Sequence, residues 1–243
     1  MQIFGLARLK FRYAIISSVE HLAQRPSAAV EDYAKAIYAL ERRAEDGQVT
    51  TNALAERLGV TPASASGMVR RLAELGYVTH EPYHGVALTP DGRRVALEVI
   101  RHHRLLELLL TELGVPWDRV HDEAEVLEHH ISEELEALIA ARLGNPTHDP
   151  HGDPIPSADL TIDEGQSEAL DALEVGTKGR FVRVSDADPE MLRYLAERGI
   201  APGDDLEVVE RQPFGGPVFA RFGEETHVLG GALARAMRVE VAR

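Results

Sequence analysis

The stretch Gly59-Val60-Thr61-Pro62 restricts the fold of this chain more than any other. The glycine closes a short helix, ALAERLG, that Thr51-Asn52 can cap at its start. Thr61 caps the next helix, with Pro62 at its first position, where proline is favoured. Two helices joined through Leu58-Gly59-Val60-Thr61 form a helix-turn-helix. Before them, residues 30–44, VEDYAKAIYALERRA, repeat Tyr33, Ile37 and Leu40 at helical spacing. After the helix PASASGMVRRLAELG come two extended stretches, Tyr77-Val78-Thr79 and Val86-Ala87-Leu88, around Pro82 and Gly85. The order helix, short helix, turn, helix, hairpin predicts a winged helix-turn-helix.

The third helix opens with Ala63, Ser64, Ala65, Ser66 and Gly67, small enough for close approach to a major groove. Thr61, Ser64 and Ser66 offer hydroxyls to phosphate or base edges, and Arg70 and Arg71 can neutralise phosphates. His80, Tyr83 and His84 are candidate wing contacts, while Met68, Val69, Leu72 and Leu75 are expected to pack inward. The same pattern also serves as a protein-interaction module, and arginines near helix ends are commonly just solvent-facing. The net charge of −14 argues against nucleic acid over the whole chain. Its distribution weakens that objection. Residues 30–104 hold ten Lys/Arg and ten Asp/Glu, whereas residues 105–243 hold 12 against 29.

Two more long helices are predicted, from about Asp91 to Leu113 and from about Trp117 to Leu143. The second carries VHDEAEVLEHH, in which His121, Glu125, Glu128 and His129 fall on one helical face. His103 and Glu107, four apart, sit on the preceding helix. Helices bearing His/Glu pairs at this spacing can build a metal site. The spacing equally suits a solvated acidic face. With no cysteine, disulfides and thiolate ligands are excluded, so any metal must take nitrogen and oxygen from 11 His and 40 Asp/Glu. Such donors favour Mn(II), Fe(II) or Zn(II) over Cu(I). Crowded carboxylates are expected to repel each other until a cation arrives. HExxH, P-loop, dinucleotide and nucleophile-elbow motifs are all missing, so no enzyme is expected.

Residues 146–156, PTHDPHGDPIP, read as a loop. From about residue 174 the stretches GRFVRVS, DLEVVERQ, VFARF, HVLG and MRVEV alternate in polarity and predict a small β-barrel, with one helix in DPEMLRYLAERGI. Residues 1–29 carry Arg8, Lys10, Arg12 and a short apolar patch without a convincing signal-peptide core. They read as a disordered extension or an over-extended reading frame. No apolar run approaches the roughly 18 residues of a membrane helix.

The stretches RHHRLLELLL, VHDEAEVLEHHIS, DPHGDPIP and SDADPEMLRYL resemble the diphtheria toxin repressor family of metal-dependent regulators, most closely its three-domain, manganese-responsive members in actinobacteria. The resemblance covers about residues 30–243. It implies a multidomain chain: a winged helix-turn-helix at 30–92, a helical metal-binding and dimerisation domain at 93–160, and a linker with an SH3-like β-barrel at 161–243. It implies a cytoplasmic homodimer that binds palindromic double-stranded operator DNA when metal-loaded and controls metal-homeostasis genes, with no membrane partner and no small-molecule substrate. It also implies a primary site of Asp32, Glu125, Glu128 and His129. An ancillary site would use His103, Glu107 and His121 with Glu190 and either Asp186 or Asp188. The positions of Asp32 and Glu125 hold sulfur ligands in iron-sensing members, so oxygen there favours Mn(II), with Fe(II), Zn(II) and Co(II) as competitors. Compact manganese regulators place an acid three residues after the aspartate; here Lys35 stands there, which argues against a binuclear cluster. An iron-sensing repressor and a metal-independent DNA-binding protein are the alternatives.

Overall fold

The computed structural model describes residues 25–42, 44, 48–81 and 85–242. The wing residues Tyr83 and His84, and residues 1–24 of the expected extension, lie outside them. The described residues form two compact units. One comprises the described residues up to His102 with Leu127–Arg142 and Ala158–Thr161; the other comprises His103–Val126, Leu143–Ser157 and the described residues from Ile162 on.

The first unit contains the winged helix. Helices α1 (Ala28–Glu41), α2 (Thr51–Leu58) and α3 (Pro62–Glu74) and the hairpin β1 (Val78–Glu81)–β2 (Gly85–Leu88) surround Val30, Ile37, Leu54, Val69, Leu72 and Val86. Each fully buried aliphatic side chain of this kind contributes about 1.5–3 kcal/mol of transfer free energy. Thr50, one residue earlier than expected, caps α2 by accepting the Ala53 N–H at 3.1 Å. Thr61 caps α3 through the Ser64 N–H at 3.2 Å. Gly59 takes the left-handed φ of 64° that ends α2. Val69 and Leu72 are buried, whereas Leu75, expected inside, is exposed because α3 has already reached its C-cap there. The hairpin pairs antiparallel from Val78↔Leu88 to Glu81↔Gly85, and Val49 bridges Val86. Gly85 has φ +77°, and a Cβ on it would meet the Val49 carbonyl oxygen at 2.9 Å.

Helix α4 (Pro90–Glu112) begins where Thr89 accepts the Gly92 N–H at 3.1 Å. The single long helix expected next is instead two, α5 (Val120–Leu127) and α6 (Glu133–Arg142). Ser132 starts the second: its Oγ accepts the Leu135 N–H at 3.2 Å and its carbonyl the Glu136 N–H at 2.8 Å. Glu133 and Glu134 in the first turn favour a helix start as well. Hydrophobic periodicity runs through this break and hides it. Glu128 and His129 therefore sit in the turn that follows α5.

In the second unit, β3 (Glu168–Ala169), β4 (Lys178–Val184), β5 (Asp205–Arg211), β6 (Val218–Phe222), β7 (Glu225–Leu229) and β8 (Met237–Val241) form one antiparallel sheet in the order β3-β8-β4-β5-β6-β7. The expected SH3-like barrel is thus an open sheet, with β3 and β7 at its edges. Helices α7 (Pro189–Ala196) and α8 (Gly231–Ala236) lie between strands in sequence. Phe181, Leu192, Leu195, Val208, Leu229 and Met237 fill the core. Among the described residues no helix is long and apolar enough to cross a membrane.

Candidate metal centres and DNA-binding face

Among the described residues the first unit holds one cluster of imidazoles and carboxylates, and the second holds two that share Glu107, the other being Glu107, Asp149 and His151. In the first, Asp32 projects from α1, and Glu128 and His129 come from the turn after α5. One donor atom from each lies within 4.8 Å of the others. His129 Nε2 is 3.0 Å from Asp32 Oδ1 and 3.5 Å from Glu128 Oε1. Its other nitrogen, Nδ1, is 2.6 Å from Oε2 of buried Glu31. A carboxylate behind the imidazole fixes which nitrogen faces the pocket. Hydrogen bonds to Asp32 and Glu31, aided by the Glu128 charge and opposed by burial, push the His129 imidazolium up to about 10. Glu128 is fully buried, and both its oxygens accept from Lys35 Nζ, at 2.9 and 2.8 Å. Arg25 braces the turn: it donates to the Ile131 carbonyl at 2.6 Å and lies 3.5 Å from Glu31.

The second cluster joins His103 and Glu107 of α4, His121 of α5 and Asp186, which follows β4. Glu107 Oε1 is 3.0 Å from His103 Nε2, 3.4 Å from His121 Nδ1 and 3.7 Å from His151 Nδ1. His121 Nδ1 also meets Asp186 Oδ2 at 2.9 Å. Burial disfavours the Glu107 charge, but the three histidines outweigh it and hold the carboxyl well below its usual range. Asp186, also opposed by burial, is held down to about 2 by His121. In return His121, bonded to Asp186 and Glu107, rises to about 10. His151 rises to about 9 despite its burial because of Glu107.

His151 and Asp149 were not singled out from sequence, because residues in a Pro/Gly loop have no periodicity to mark them. Their loop is tightly made. Asp149 Oδ1 accepts the His151 and Asp153 N–H groups at 2.8 and 2.9 Å. Gly152 has φ +86°, and a Cβ there would lie 1.9 Å from the Val182 carbonyl oxygen, so only glycine fits. The His151 Nε2–H donates to the Trp117 carbonyl at 3.1 Å. Nδ1 is left buried with no hydrogen-bond partner, aimed at Glu107.

These donor sets fit a divalent ion. First-row ions hold nitrogen and oxygen at roughly 2.0–2.2 Å, which places opposed ligands roughly 4.3 Å apart. The donor atoms of each cluster all lie within 4.8 Å of one another, close enough to share one ion. The His103 Nε2 and His121 Nδ1 atoms lie 3.1 Å apart, near enough for both to turn toward one ion.

The other expected ligands are placed as follows. Glu125 lies in the second unit, 3.9 Å from His103 Nδ1 and 3.7 Å from His121 Nε2. Asp188 is occupied as the N-cap of α7, accepting the Glu190 N–H at 2.9 Å, and Glu190 is exposed. On α3, Thr61, Ser64, Gly67, Arg70 and Arg71 are exposed together and Ser66 is half-buried; His80 is exposed on β1. The Thr61 hydroxyl is partly engaged in the cap and with Ser64 Oγ at 3.0 Å. Nothing lies within 4 Å of a Cβ built on Gly67.

A winged helix whose first helix supplies an acid to a pocket of hard donors defines a metal-responsive DNA-binding regulator. Family models match along the chain: iron dependent repressor, N-terminal DNA binding domain, over residues 26–86; iron dependent repressor, metal binding and dimerisation domain, over 89–157; and FeoA domain over 169–241. The diphtheria toxin repressor of Corynebacterium efficiens is 33% identical over 222 residues, spanning 86% of this chain and 94% of that protein. The iron-dependent repressor IdeR of Mycobacterium tuberculosis is 33% identical over 224 residues, spanning 86% and 96%. A solved manganese-dependent transcriptional repressor in complex with manganese superposes with a TM-score of 0.81 at 45% identity, over 88% of this chain and 100% of that one. The chain belongs to the diphtheria toxin repressor family of metal-dependent transcriptional repressors. Its relatives are repressors, not enzymes.

Proposed function

We propose that the protein is a cytoplasmic, manganese-responsive repressor that binds palindromic operator DNA as a homodimer and controls metal-homeostasis genes. The observation that carries this reading is the first cluster, Asp32, Glu128 and His129, which offers two carboxylates and one imidazole and no sulfur. Hard oxygen donors suit Mn(II), whereas sulfur would favour later, softer ions. The 45% identity to a manganese-dependent repressor supports it further. An iron-sensing repressor is the second reading, favoured by the iron-dependent relatives at 33% identity. His103, Glu107, His121 and Asp186 are proposed as a second centre, with His151 Nδ1 as an added donor.

A bound divalent ion supplies charge that balances Asp32 and Glu128. Asp32 belongs to α1, part of the winged-helix core, while Glu128 and His129 belong to the turn that leads into α6. Coordination by the three side chains holds α1 to that turn. In a homodimer this fixes the separation of the two α3 helices, which must match successive major grooves. Thr61, Ser64, Ser66, Arg70, Arg71 and His80 are the proposed DNA contacts.

Fluorescence anisotropy of labelled DNA from upstream of this gene and of metal-transport genes tests the proposal. The arms are chelator, Mn(II), anaerobic Fe(II) and Zn(II), at fixed salt because salt alone shifts affinity. Binding that requires metal, with Mn(II) activating within its physiological range, is the expected result. Activation by Fe(II) but not Mn(II) would support the iron reading, and equal binding in chelator would remove the metal switch.

A further inference from the structure

We infer that the Lys35 ammonium is a built-in competitor for the first centre, held where a divalent cation's charge is needed and displaced when the ion enters. The inference rests on the proposed role of Glu128 as a ligand. Lys35 lies three residues after Asp32 on α1, so both side chains leave the same face. Its Nζ spans the two Glu128 oxygens at 2.8 and 2.9 Å, covering the edge of the carboxylate that a metal would use. The Glu128 side chain is 0% exposed, so its charge must be balanced from within the protein. The Lys35 side chain is 19% exposed. Its flexible four-carbon stem gives the ammonium a route to water once its place is taken.

The crowded carboxylates are therefore not left to repel one another without metal, as the sequence suggested. The Lys35 ammonium already balances the buried Glu128. Entry of an ion is an exchange of cations, and the lysine sets the metal concentration at which the exchange occurs. Without Lys35 a positive charge no longer opposes the ion, and the metal-free state loses an internal partner. Both changes tighten metal binding. A purely structural lysine predicts the opposite or nothing.

The test is Mn(II) titration of the full chain, by calorimetry and by the electron paramagnetic resonance signal of free Mn(II), with melting curves in chelator. The variants are Lys35→Gln, Lys35→Met, Lys35→Arg and Glu128→Gln. Lys35→Gln and Lys35→Met are expected to bind Mn(II) at the first centre on the order of tenfold more tightly, since a full charge leaves its neighbourhood. They should also melt lower in chelator and show a larger Mn(II)-induced rise. Lys35→Met keeps the apolar stem in place should the glutamine fold poorly, and Lys35→Arg should stay within severalfold of the parent. Unchanged or weaker Mn(II) affinity in the charge-removing variants would overturn the inference. Glu128→Gln separates the two levels. If it loses one bound Mn(II) while Lys35→Gln fails to tighten binding, the inference alone falls. If it loses none, the proposed first centre falls with it.

Discussion

Raising the pH from 6 to 8 should tighten Mn(II) binding steeply, with a different slope at each centre. At the first, His129 is held up to about 10 by Asp32 and Glu31, so its imidazolium dominates at neutral pH. Nε2 can donate a lone pair only after losing that proton. One proton per ion means about tenfold in affinity per pH unit, or about 1.4 kcal/mol. At the second, His121 near 10 and His151 near 9 must both deprotonate, which gives about a hundredfold per unit. Asp186, at about 2, and Glu107, lower than usual, are ionised throughout and release nothing. Filling both centres at pH 7 should thus release about three protons per chain. Calorimetry in buffers of different ionisation enthalpy reads that number directly. The sign on metal-free stability is opposite. These raised histidines stabilise the fold fully below their ordinary value near 6.5, and the contribution fades as pH rises through 9 to 10. Mn(II) affinity that stays flat from pH 6 to 8, without proton release, would refute the idea that metal replaces protons on these imidazoles.

Glu31→Gln, which weakens the hold on His129 Nδ1, should lower Mn(II) affinity at the first centre by roughly 10–100-fold, measured by titration, while leaving the second unchanged. Asp186→Ala should reduce the bound Mn(II) from two per chain to one and return His121 toward ordinary histidine behaviour, as followed by its NMR titration. Gly67→Ala should raise stability in melting experiments by about 0.5–1 kcal/mol, since α3 gains helix propensity and the space is open. The same variant should weaken metal-dependent DNA binding, because the added methyl stands on the face proposed to enter the groove.

The winged helix was legible because its punctuation is local. Gly59 and Thr61-Pro62 mark helix ends that no tertiary contact has to supply, and the short strands of the wing alternate visibly. The strands of the second unit were legible for the same reason, apart from two-residue β3, which has no pattern of its own. The candidate centres were only half legible. His103, Glu107 and His121 sit on helices, where spacing reports direction. Glu128 and His129 looked helical too, but the helix ends at Leu127 and the start signal at Ser132 opens a new one. Glu31 was overlooked because neighbours on a helix diverge; here Glu31 and Asp32 reach the two nitrogens of one imidazole from the same helix. Asp186 and Asp188 were two acids that sequence could not separate. The cap at Asp188 and the bond from Asp186 to His121 distinguish them.

The most direct test of the account is the DNA affinity of Asp32→Ala across a Mn(II) titration, alongside the parent chain. Asp32 is exposed enough that its loss should leave the fold and the second centre intact. The account predicts that the variant, at Mn(II) concentrations that saturate the parent, binds DNA no more tightly than the parent does in chelator. Full metal-activated binding by the variant would contradict it.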